Sequence, residues 1–157
     1  MTFADNLLEQ AAHLAHRKVE HPTQASLRRA VSTAYYALFH FLIDEAVNIW
    51  AVERHRAVLA RSVSHARMKG LCVDFLKVAQ SGNSIPNELV EVAQAFNQLQ
   101  GDRETADYDN SKQWSLLEVE SVLEATENAF AAWKTIRTQP TAEDFLMQLL
   151  FPKRPKT

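Results

Sequence analysis

The sequence predicts an all-α protein: an up-and-down helical bundle of about five to six helices around one long central helix. Three observations carry this. The stretch from Ala25 to Trp50 holds no Gly and no Pro, and Leu27, Val31, Ala34, Leu38, Leu42, Ala46 and Ile49 recur in it at helical spacing. Ala30, Tyr35, Phe39 and Ile43 widen that stripe, so the helix needs cover on most of its circumference. The whole chain has only three glycines in 157 residues, few alternating β-branched runs, and helix-start signals along its length. At the α-helical rise the central helix would run roughly 39 Å.

The other elements follow in order. A first helix is expected from about Ala4 to Val19, with Thr2 and Asp5 as a capping pair and Leu7, Leu8, Ala11, Leu14 and Ala15 inward. His21-Pro22 breaks the chain, and Thr23 can cap the central helix. A third helix is expected from Arg56 to Lys69, with Val58, Leu59, Val63 and Met68 inward and Arg54, Arg61, His65 and Arg67 on a basic face that is solvated rather than RNA-contacting on the simpler reading. Gly70 ends or bends it, and Leu71 to Ala79 resumes a short helix before the Ser81-Gly82-Asn83-Ser84 loop. Pro86 opens a fourth helix carrying Leu89, Val92, Ala93, Phe96 and Leu99, which stops at Gly101. After the polar segment GDRETADYDNS, Ser115 and Glu118 form a capping box for a fifth helix reaching about Thr138. Thr141 with Asp144 caps a last short helix of Phe145, Leu146, Leu149 and Leu150, which either closes the bundle or buries itself in a second subunit. Residues 1–151 thus form one domain, and residues 152–157 a basic, disordered tail.

Composition narrows the function classes. With 46% hydrophobic and 23% charged residues, the chain has enough apolar material for a real core and belongs with ordinary globular domains. A net charge of −2 gives no global basic field, so any nucleic-acid site must be local. A single cysteine, Cys72, excludes an internal disulfide and fits a reducing cytoplasm. The N-terminus lacks a basic region followed by an apolar core, so no secretory signal is expected. Arg28, Arg29, His40, Asp44 and Glu45 interrupt the central helix, which excludes a membrane span there.

Two stretches carry residues with chemistry. On the central helix Arg28, Ser32, Tyr36, His40 and Asp44 follow at steps of four, so adjacent members can meet. Downstream, Arg103-Glu104-Thr105-Ala106-Asp107-Tyr108-Asp109 packs a cation, three carboxylates and a phenol between two helices. These residues can form a site, or a structural network in which Arg103 pairs with Asp107 or Asp109 and Tyr108 docks in the core. Cations at a helix N-terminus are disfavoured by the dipole, so Arg28 and Arg29 call for acidic partners such as Asp107 and Asp109, or for a bound phosphate. Ser32 has no flanking base and acid to activate it, which argues against a serine hydrolase. His13 and His16 lie one turn apart, but no cluster completes a metal site. No metal and no cofactor are expected.

LRRAVSTAYYALFHFL followed far downstream by RETADYD resembles the HEPN superfamily, in particular its small bacterial members with an LRRA-S-AYYALFH helix and an R-x-x-ADYD segment. The resemblance covers about Ala25 to His40 and Arg103 to Asp109. It implies a bundle of four or five helices, usually dimeric, found among metal-independent ribonucleases of toxin–antitoxin, CRISPR and phage-defence systems. Other members bind RNA or nucleotides, or accompany a nucleotidyltransferase. This sequence departs from the ribonuclease pattern of Arg, four to six residues, then His; Arg17–His21 and Arg61–His65 have three residues between, and no His follows Arg103.

The resulting expectation is an RNA- or nucleotide-binding protein, with Arg103 and His40 as the catalytic pair if it cleaves. Arg28, Arg29, Ser32, Tyr36, Asp107, Tyr108 and Asp109 are expected around them. Arg103 can grip a phosphate bidentately, and His40 titrates near neutrality. The alternative is a non-catalytic dimeric module whose partner is a protein, such as a nucleotidyltransferase antitoxin. In either case the expected setting is a cytoplasmic homodimer with no membrane contact.

Overall fold

The computed structural model describes residues 1–153, and among these every regular element is a helix. There are seven: α1 Phe3–Ala15, α2 Gln24–Asn48, α3 Glu53–Ser62, α4 His65–Gln80, α5 Asn87–Tyr108, α6 Leu116–Ile136 and α7 Pro140–Leu150. The expected basic tail falls largely on residues 154–157, outside the described residues. None of the described helices is long and apolar enough to cross a membrane.

Helix α2 is the axis. Fifteen of its 25 residues are buried, on every side of the rod. It packs against α1, α5 and α6, with lesser contacts to α3 and α7. The pairings fix the directions. Arg28 reaches Ala106 and Asp109 while Tyr35 lies against Phe96, so α5 runs antiparallel to α2. Gln24 meets Trp114, Phe41 stacks on Phe130 and Glu45 meets Trp133, so α6 runs in the same sense as α2. Helices α1, α2, α5 and α6 form an up-down-up-down bundle, with α3 and α4 inserted in the connection between α2 and α5.

The sequence signals hold at several ends. Thr2 with Asp5 and Ser115 with Glu118 form complete capping boxes, and the Thr23 hydroxyl accepts from the Ser26 amide. Other boundaries differ from expectation, and the first helix ends at Ala15, short of Val19. The third helix does not run from Arg56 to Lys69: it breaks at Val63–Ser64, where Val63 is extended and turned into the core. The Ser64 hydroxyl then caps a new helix by accepting from the Arg67 amide. Gly70 and Gly101 stop nothing, since each lies inside a helix with open space where a side chain would start. Gly82 is the turn glycine, at φ +86°. The last helix begins at Pro140, whose fixed φ suits a first helical position, with Gln139 rather than Thr141 as its cap.

Helix α7 closes the bundle. Phe145, Leu146, Leu149 and Leu150 are buried within this chain, with Phe145 against Phe75 and Trp133.

Candidate functional site

The run of α5 through Gly101 sets the site. Its core-facing row starts apolar, with Leu89, Val92, Ala93 and Phe96, and turns polar toward the C-terminus at Gln100, Arg103 and Asp107. Antiparallel packing lays that polar half along Ser32, Tyr35 and Tyr36 of α2. The segment read as an inter-helix loop is therefore helical up to Tyr108, which makes Arg103 and Asp107 an i,i+4 pair.

Tyr35 is the centre of the cluster. Its ring is fully buried, with the Arg103 guanidinium 5.0 Å from the ring centroid. Its hydroxyl shares a hydrogen bond with Nδ1 of His65 at 2.7 Å. His65 opens α4, stacks on Phe39 at 4.0 Å and has the Tyr36 ring edge-on at 5.8 Å. Arg103 Nη1 stands 3.8 Å from Asp107, whose other neighbour is the Ser32 hydroxyl, donating at 3.3 Å. The Arg103 side chain is only 15% exposed, and its Nε is buried with no partner among the described residues. Asn97 Oδ1 and Gln100 Oε1 on the same helix are likewise buried and unpartnered.

Burial pushes the Tyr35 phenol up to about 12, partly offset by the nearby Arg103 charge, so the hydroxyl stays a donor. Burial, then the Arg103 and His40 charges, lower the His65 pKa. In the tautomer whose Nδ1 accepts from Tyr35, the imidazole carries its proton on Nε2. Through Tyr35 and Asp107 the structure thus links a half-satisfied guanidinium, an imidazole, a serine hydroxyl and a carboxylate that competes for the guanidinium. That set can hold an anion with two or more oxygens and offer it a proton donor.

The sequence-derived residues part company in the structure. Arg103, Ser32, Tyr36 and Asp107 come together as described. His40 makes no hydrogen bond or ion pair among the described residues: its ring is edge-on to Phe3 at 5.0 Å and to Phe39 at 5.4 Å, with its pKa lowered by burial against the opposing pull of Asp44. Arg28 is structural. It donates from Nη1 to the Ala106 and Asp109 carbonyls, each at 2.9 Å, and from Nη2 to the Lys112 carbonyl. Carbonyls, not the Asp107 and Asp109 carboxylates, answer its charge, because the C-terminus of antiparallel α5 brings unsatisfied oxygens and the negative end of its dipole to the start of α2. Asp109 turns its carboxylate onto the Ser111 amide and hydroxyl, Tyr108 is 75% exposed rather than docked, and Arg29 is exposed with no hydrogen bond or ion pair among the described residues.

Tyr35 and His65 were not among the residues the sequence singled out for the site. Tyr35 falls on the apolar stripe, and its hydroxyl's partner is 30 residues away. His65 had one local signal, the capping residue Ser64 immediately before it. The pair His13 and His16 holds no metal cluster: no group of three metal-ligating side chains exists among the described residues. His16 instead bonds the Ala12 carbonyl and Glu120.

No family model, no curated protein and no solved structure matches this chain.

Proposed function

We propose that the Arg103 cluster recognises phosphate, and that the chain is a HEPN-like RNA- or nucleotide-binding protein acting as a homodimer, as its signature stretches suggest. The observation that carries this reading is the state of Arg103. A buried guanidinium is costly unless its donors are used, yet its Nε is unpartnered and its one carboxylate neighbour sits at 3.8 Å, the outer limit of an ion pair. A phosphate would use those donors, with the His65 imidazole as a further hydrogen-bond partner. If the bound RNA is cleaved, His65 is better placed than His40 to exchange a proton at the phosphate, since it shares Tyr35 with Arg103.

The test is labelled single-stranded RNA in EDTA with wild type, Arg103→Ala, His65→Ala and His40→Ala. Cutting lost in Arg103→Ala and His65→Ala but kept in His40→Ala supports a metal-free ribonuclease using His65. Binding without cutting, lost in Arg103→Ala, supports recognition alone.

A second reading, the non-catalytic module with a protein partner, draws on two observations. Asp107 can neutralise Arg103, and α5 and α6 leave an apolar cleft of about 200 Å³ lined by Ala95, Leu99, Val122 and Ala125. Absence of any RNA or nucleotide binding would leave this reading in front.

A further inference from the structure

Helix α3 is a ten-residue element that contributes no buried residue to the fold. Arg56, Leu59 and Ala60 are half-buried on its inner side. Its attachment to the bundle rests on these and on Arg56, which donates from Nε and Nη2 to the Trp50 carbonyl at 3.1 and 3.0 Å. Its first turn has no side-chain cap. A helix this short is marginal in water, and packing does not explain its composition.

Charge does. Residues 54–69 carry Arg54, Arg56, Arg61, Arg67 and Lys69 and no carboxylate, in a chain whose net charge is −2. Arg56 and Arg67 are spent on carbonyls, Arg67 on those of Ser62 and Leu149. Arg54, Arg61 and Lys69 are exposed and pair with no carboxylate among the described residues. Arg54, Val58 and Arg61 follow at steps of four and three and line one outward face, Val58 being exposed rather than inward as expected, with the two arginines about 10.5 Å apart along the axis. Arg61, the end of that face, lies four residues before His65, the imidazole that shares Tyr35 with Arg103.

We infer that the outward face of α3 is a second phosphate-contact surface, which carries the backbone of a single-stranded polynucleotide away from the Arg103–His65 cluster. For the class of polymer, the inference rests on the phosphate reading of Arg103. Arginines in a row hold successive backbone phosphates without reading sequence. A lipid surface is a poorer match, because Val58 is the one large apolar side chain on this face and an interfacial helix needs a broad apolar side.

The experiment uses the full chain and a fluorescein-labelled unstructured 20-mer RNA, read by anisotropy across a salt series, beside labelled UMP as a ligand too short to reach α3. In Arg54→Ala/Arg61→Ala, RNA affinity falls severalfold, the slope of log affinity against log salt shrinks by about 1.4, and UMP binding is unchanged. Arg54→Lys/Arg61→Lys restores most of the slope. Both positions are exposed, so helical circular dichroism and melting should match wild type. RNA affinity and slope untouched by the double alanine variant overturn the inference, as does arginine-dependent binding to anionic phosphatidylserine vesicles without RNA binding. RNA binding that needs α3 but survives Arg103→Ala, with no UMP binding, upholds the α3 surface and overturns the Arg103 reading instead.

Discussion

The Tyr35 hydroxyl and His65 Nδ1 meet at 2.7 Å across 30 residues of chain, joining the middle of the central helix to the first residue of α4. Through this bond one buried phenol positions an imidazole and, by its ring face, lies under the Arg103 guanidinium.

The pH dependence of stability should report this arrangement. His65 and His40 both have pKa values lowered by burial from 6.5. The folded chain then binds fewer protons than the unfolded chain below pH 6.5, so their contribution is complete above that value and lost as pH falls toward the folded ones. His16 acts in the opposite sense: its pKa is raised by its bond to Glu120, and its contribution is lost as pH rises through the raised value. Urea unfolding between pH 6.5 and 5.5 should therefore show stability dropping with acid in wild type and dropping less in His65→Gln and His40→Gln. A slope unchanged in both variants would contradict the burial of the two rings.

Asp107 should act as a built-in competitor for the phosphate. It faces Arg103 at 3.8 Å with a 28% exposed side chain, so the pair is partly screened and worth about 0.5–1 kcal/mol. Asp107→Asn keeps the acceptor for Ser32 and removes the charge. UMP or RNA affinity should rise about threefold, measured by calorimetry at fixed salt. A loss of affinity would instead assign Asp107 to holding Arg103 in place.

Glu45 ties α2 to α6. It accepts from Trp133 Nε1 at 2.7 Å and from Arg137 Nη2 at 3.0 Å, and Trp133 is fully buried. Glu45→Ala strands a buried indole donor and should cost about 1–3 kcal/mol in urea unfolding. The cost should shrink in a Trp133→Phe background, where no donor is left to strand. Equal costs in both backgrounds would mean that the indole bond contributes nothing.

The glycines give a contrast in sign. Gly70 and Gly101 sit in exposed helical positions with open space at Cβ, so alanine should stabilise by about 0.5–1 kcal/mol at each. Gly82 has φ +86°, and alanine there should destabilise by about 1 kcal/mol. Thermal melts of the three single variants are sufficient; a stabilised Gly82→Ala would show that the turn relaxes.

The sequence alone determined what depends on neighbours along the chain. The apolar period of α2, the capping boxes at Thr2 and Ser115, and the cap at Thr23 are satisfied within a turn or two, so they were legible without a partner. The sequence offered Arg103 either Asp107 or Asp109, and the choice of Asp107 follows from the helix continuing past Gly101, which sets the two residues four apart on one face. Tertiary structure decided the rest. Gly101 permits a helix or ends one, and the packing of α5 on α2 is what carries it through to Tyr108. The break at Ser64 restarts the helical phase, so the face shown by His65 could not be counted from Arg56. Arg28 bonds carbonyls 78 and 81 residues away, and Tyr35 bonds a histidine 30 away. Such pairings follow from the relative direction and offset of two helices, which are fixed by how their buried side chains interlock and not by the spacing of residues along either one.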